Sequence, residues 1–142
     1  MIRVVLAVVV SAALFGLGLP AAERVDRERN AALATDELES VGDAAERLVT
    51  ENDPIAPDRK PAATTVVVDV PEPTFANRGR VRIRDDELHW EPAGGRNHTV
   101  DPPVPIRVKT PIVAADRLRL RLSFVRIDGA AVVFARPVGP EV

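Results

Sequence analysis

Residues Val4 to Ala22 form a run of 19 without a formal charge, and a dense acid/base stretch from Glu23 to Arg29 follows at once. As a helix rising about 1.5 Å per residue, such a run reaches roughly 28 Å, close to a hydrocarbon core of about 30 Å. A chain of 142 residues cannot build a core wide enough to surround a helix that is apolar on every side. The run therefore reads as a membrane-spanning helix.

A cleaved signal peptide also begins with a basic residue and an apolar stretch. Arg3 and the apolar run meet that pattern, but the cleavage region does not, because cutting after Ala22 or Ala21 places Pro20 or Leu19 at the minus-three site. A retained, single-pass anchor is the expectation. Its direction is contested. Arg24, Arg27 and Arg29 outnumber Arg3 across the run, which by count holds the following domain in the cytoplasm. The interleaved Glu23, Asp26 and Glu28 are spaced to pair with those arginines, Glu23 with Arg27 for instance. A signal-like start favours an extracytoplasmic domain, and with no cysteine in the chain the redox compartment is silent.

Beyond the run, Val25, Ala32, Leu33, Leu38, Val41, Ala45 and Leu48 fall mostly three, four or seven apart, which predicts an amphipathic continuation of the helix. Pro20 should bend it, and Asn52, Asp53 and Pro54 should end it. The segment "NDPIAPDRKPAA" has three prolines in twelve residues and no periodicity, so it reads as a linker. It also divides the charge. Residues 1–77 carry 7 basic and 13 acidic side chains, and residues 78–142 carry 12 and 8.

The second half alternates with period two. "TTVVVDV" is a β-branched run, and "RGRVRIR" sets Val81 and Ile83 against Arg80, Arg82 and Arg84. "VPIRVKT" sets Val104, Ile106 and Val108 against Arg107 and Lys109, while Leu118, Leu120, Leu122 and Phe124 oppose Arg117, Arg119 and Arg121. These are half-buried antiparallel strands. Asp128-Gly129 marks a hairpin, and "PAGGR" a second turn. After Phe124, Val125 and Ile127 fall on the arginine side, which calls for a bulge or a covered edge.

The predicted fold is α+β: a transmembrane helix (1–22) extending into an amphipathic helix (23–52), a linker (53–63), and an antiparallel β domain (64–142). The strands are expected as a meander of about six, with the amphipathic helix covering their one apolar face.

This order of parts resembles type IV pilins and pseudopilins. It departs from them in having no basic-then-glycine peptidase site in "MIRVV" and no glutamate at Val5. The chain is also similar to an uncharacterised haloarchaeal family of small membrane-anchored proteins encoded near pilus-type secretion ATPases, through "MIRVVLA" (Met1 to Ala7) and "LSFVRIDG" (Leu122 to Gly129). The use of 17 arginines against two lysines suits such a source. The resemblance implies a setting and no functional residues.

Catalytic patterns are thin. His89 and His98 are the only imidazoles, and Asp85, Glu87 and His89 along a strand would be a metal set only if His98 joined them; a solvated face is the simpler reading. Ser11, Ser40 and Ser123 have no histidine nearby in sequence, and Gly94-Gly95 belongs to a turn, not a phosphate loop. No enzyme activity, metal or cofactor is expected. Arg80, Arg82, Arg84, Arg107, Lys109, Arg117, Arg119 and Arg121 are the candidates for partner binding. Nucleic acid is disfavoured as the partner, since one tryptophan, no tyrosine and four phenylalanines offer few stacking platforms. Asn97, in the chain's only N-x-Ser/Thr sequon, is the candidate glycosylation site.

The expected function is a non-enzymatic component of an envelope or pilus-related assembly. Its partners are the membrane, secretion-assembly proteins, and copies of itself, set with the acidic helix surface (Asp36, Glu37, Glu39, Asp43, Glu46) against a neighbour's arginines. The alternative is a basic sheet module that binds nucleic acid or another anionic polymer at the membrane.

Overall fold

Helical backbone continues from the apolar run into the amphipathic segment, so the computed structural model opens on one helix, α1, spanning Ile2–Glu51. Residues 2–56, 58–74 and 76–139 are described; Met1 of the "MIRVVLA" match and the last three residues of the expected β domain lie outside them. Pro20 falls inside α1 and does not end it. Thr35 does not interrupt it either, because its hydroxyl donates back to Ala31 O at 2.8 Å. The helix ends where Asn52 Nδ2 donates to Leu48 O at 3.0 Å, two residues before Pro54.

From Ile2 to Arg29 no side chain of α1 is buried. Further along, Ala31, Ala34, Leu38, Val41, Ala45 and Leu48 are buried, at alternating spacings of three and four. This corrects the expected stripe at its upper end. Val25 and Leu33 are 64% and 46% exposed, and Ala32 also faces out. The seam that meets the sheets is built of small residues there, because alanine lets the helix axis approach closely, whereas Leu33 lies off its axis.

Eight strands follow: β1 (Ala63–Val68), β2 (Gly79–Arg84), β3 (Glu87–Pro92), β4 (His98–Val100), β5 (Ile106–Val108), β6 (Ile112–Ala114), β7 (Leu118–Ile127) and β8 (Ala130–Pro137). They form two four-stranded sheets, β1-β7-β8-β5 and β4-β3-β2-β6. The fold is α+β, as expected, but the single six-stranded meander is not: there are two sheets, and β5 pairs with β8 in parallel.

The cause lies in Pro102, Pro103 and Pro105, which have no amide to donate to a ladder. The chain therefore leaves the second sheet after β4 and joins the first at Ile106. There β5's outer edge is met by the turn between β2 and β3. Asp86 Oδ1 accepts from Ile106 N at 3.0 Å, and Asp85 Oδ1 accepts from Val108 N at 2.9 Å. Buried side chains of α1 and both sheets, with Trp90, Leu38, Ile83 and Leu122 among the fully enclosed ones, form one continuous core.

The β7–β8 hairpin turns at Asp128 and Gly129, both with positive φ (50° and 81°), as a two-residue mirror turn requires. Its register is unbroken from Leu120↔Pro137 to Ile127↔Ala130, so no bulge explains the lost alternation. Instead the linker returns to the sheet. Ile55 bridges Val125, its carbonyl accepts from Arg126 N at 3.0 Å, and Val125 is only 5% exposed.

Candidate functional site

Because strand alternation turns every second side chain away from the core, each sheet presents its own polar face, and the eight expected basic residues are divided between them. Arg80, Arg82 and Arg84 stand on β2 of the second sheet. Arg119 and Arg121 stand on β7 and Arg107 on β5 of the first. Lys109 and Arg117 lie in the connections just outside the strands. One continuous arginine face is therefore corrected to two separate ones, because two sheets, not one, share the core.

Several of these cations already have partners. Arg80 Nε donates to Glu91 Oε2 at 2.7 Å, and Arg82 Nη2 donates to the same oxygen at 3.2 Å. The register explains the first pair, since Arg80 lies directly opposite Glu91. The hydrogen bond from Arg80 holds the Glu91 carboxyl below its ordinary value of 4.5; burial opposes this, and Arg82 adds to it. Arg82 Nε is only 2.7 Å from Glu91 Oε1 yet is misaligned for a hydrogen bond, so this contact is Coulombic. Arg107 Nη1 pairs with Asp86 Oδ2 at 2.8 Å, and Arg117 Nε with Asp69 Oδ1 at 2.8 Å. Among the described residues Arg84, Lys109, Arg119 and Arg121 have no carboxylate within ion-pair distance.

The strands bring some of the candidates together. Arg80, Arg82, Arg84 and Asn97 line one groove of about 640 Å³, joined by Arg78. On the first sheet Arg121 lies directly opposite Arg136 on β8. Like charges facing each other in a ladder are unfavourable, so this pair concentrates positive charge on that face. Reading each alternating run separately misses Arg136, and Arg78 stands at the head of "RGRVRIR" beside the three arginines named from it. Arg136 is recoverable once β8 is paired with β7, and Arg78 from the same two-residue period as Arg80, Arg82 and Arg84.

Asn97 is exposed in the loop between β3 and β4. The sequon's Thr99 lies opposite His89, and its hydroxyl is 3.0 Å from His89 Nδ1; the other ring nitrogen is 3.0 Å from Glu87 Oε2. His98 lies opposite Trp90 instead, so the two imidazoles fall on opposite faces of the second sheet. Asp85 and Asp86 are committed to β5 and Arg107. Among the described residues no group of three or more His, Asp or Glu is placed to hold a metal ion.

The expected pair of Glu23 with Arg27 is not formed among the described residues. α1 is long and apolar enough to cross a membrane, with a stretch of mean hydropathy 2.4 that is wholly unburied. No curated protein and no solved structure matches the chain. Residues 1–138 match the family described as a domain of unknown function (DUF7311). That match extends from the apolar helix through the last strand, and the chain belongs to this family.

Proposed function

We propose that the chain is a single-pass, membrane-anchored, non-enzymatic component of an envelope or type IV pilus-related assembly, with its sheets outside the cytoplasm. The observation that carries this reading is the first half of α1. Leu6, Leu14, Phe15 and Leu17 are 62%, 66%, 70% and 78% exposed, and nothing in the folded body covers them. Apolar surface on that scale needs a solvent other than water. The second half of the same helix is locked into the core, so a membrane that holds the first half also fixes the sheets close to its surface.

Side-by-side copies then have complementary surfaces. Asp36, Glu39, Asp43 and Glu46 are exposed on α1, and a neighbour offers Arg119, Arg121 and Arg136. Such head-to-tail contacts can extend into an open array. The groove of Arg78, Arg80, Arg82 and Arg84 favours a second reading, a module for an anionic polymer. The two readings part on topology. Carbonate extraction of membranes followed by protease treatment of intact cells is the test. The chain should stay in the pellet and lose its sheets to the protease; a soluble chain removes the anchor, and protected sheets favour the second reading. A glycan on Asn97, read by mass spectrometry, would independently mark export.

A further inference from the structure

Just past its apolar half, α1 forms one wall of a cavity of about 630 Å³ whose opposite wall comes from β3, β4, the loop between them, and Asn77 ahead of β2. The enclosed part is mostly apolar, with Ala31, Trp90 and Pro92. Three exposed arginines, Arg24, Arg27 and Arg96, also line it, and among the described residues none has a carboxylate within ion-pair distance. Asp26, which lies between the first two in sequence, is occupied by the Thr74 hydroxyl. Glu28 and Asp36 line the cavity as well, so cations exceed carboxylates by one, 3 − 2.

Two wall residues carry orphaned donors. Trp90 Nε1 and Asn77 Nδ2 are buried without a hydrogen-bond partner, and the residues are 1% and 4% exposed. Native folds leave few such groups unpaired, and an unexplained one points to an acceptor that the protein alone does not supply.

Position narrows the chemistry. Arg24 and Arg27 lie about 3 Å and 8 Å along the axis beyond Ala22. The headgroup layer adds roughly 5–7 Å to each side of the hydrocarbon. The arginines nearest the apolar half thus fall at phosphate depth, provided that half enters a membrane, as proposed above. Guanidinium forks match phosphate oxygens bidentately.

We propose that this cavity binds an anionic phosphate group, one not neutralised by an amine of its own, with Arg24, Arg27 and Arg96 as its cationic ligands. The source is either an anionic phospholipid headgroup or a free phosphate. Trp90 is the sole tryptophan, so its emission reports on the cavity directly. The full chain in zwitterionic micelles is titrated with dihexanoyl phosphatidylglycerol, dihexanoyl phosphatidylcholine and inorganic phosphate.

A saturable emission change with phosphatidylglycerol, weakened at least ten-fold in Arg24→Gln/Arg27→Gln and in Arg96→Gln but not in Arg119→Gln, is the expected result. An equal response to inorganic phosphate keeps the site and assigns it to free phosphate. An equal response to phosphatidylcholine, a response that never saturates, or parent-like binding by the Arg24 and Arg96 variants overturns the proposal. Circular dichroism confirms that the variants, all at exposed positions, remain folded. Liposome flotation of the parent chain is scored separately, so that a failed anchor and a failed cavity are distinguishable.

Discussion

The two halves of α1 have the same backbone geometry and opposite surroundings. From Ile2 to Ala22 every side chain is exposed and apolar residues occupy all sides; from Asn30 to Leu48 one seam is buried and charged residues cover the remainder. A helix satisfies its own backbone hydrogen bonds in either setting, so side chains alone decide which solvent it enters. The seam against the sheets is narrow and rich in alanine, because a protein wall approaches from one direction only. The first half has no such seam, as lipid would approach from all directions.

The sharpest way to break this contrast is one substitution made in both halves. Leu38→Ala removes a fully enclosed side chain and should cost about 2–5 kcal/mol in unfolding free energy. Leu14→Ala, at a position 66% exposed, should stay within about 0.5 kcal/mol. Denaturant unfolding of the two variants compares them, and equal losses would mean that the first half is packed after all.

The reverse test introduces charge. Leu14→Arg should disfavour membrane insertion by about 2.5–3.5 kcal/mol and lower the carbonate-resistant fraction, with the melting of the sheets unchanged. A parallel fall in melting temperature would tie the first half to the folded body.

Glycines sharpen the comparison at a finer scale. A Cβ on Gly79 would overlap Cη2 and Cζ2 of Trp90, so Gly79→Ala should destabilise the body by about 1–3 kcal/mol through overpacking. A Cβ on Gly16 meets nothing within 4 Å, and Gly16→Ala should leave the melting temperature of the body unaltered.

The smallest expected effect is a dependence on pH confined to the body, since Val4 to Ala22 holds no charge. The folded pKa of Glu91 is depressed below 4.5. Its pairing therefore contributes fully above that value and is lost as pH falls through the folded pKa. For a pair of partly exposed arginines the contribution is up to about 1 kcal/mol. Acid melting curves of the parent and Glu91→Gln should converge below this window and separate above it.

Much of this contrast was legible in residue order. The apolar run, the helix stop at Asn52 to Pro54, the inward set Leu118, Leu120, Leu122 and Phe124, and the Asp128-Gly129 turn all follow from local chemistry. Period and turn type are properties of neighbours along the chain, and neighbours along the chain suffice to read them. The candidate site was less legible: the arginines were identifiable one strand at a time, but their partners Glu91, Asp86 and Asp69 were not.

What only the tertiary structure decided is which strands lie side by side. Alternation says which face of a strand is apolar, and it is indifferent to whether the next strand belongs to the same sheet. The prolines before Ile106 carried β5 to a parallel place beside β8, the two sheets then shared one core, and their polar faces were separated as a consequence. Likewise the pattern of α1 predicts a stripe through Val25 and Leu33, whereas the buried one runs through Ala31 and Ala34. The close approach of the sheets selected the one with Ala31 and Ala34 over the one with Val25 and Leu33, because a short side chain lets two backbones come together and a long one holds them apart.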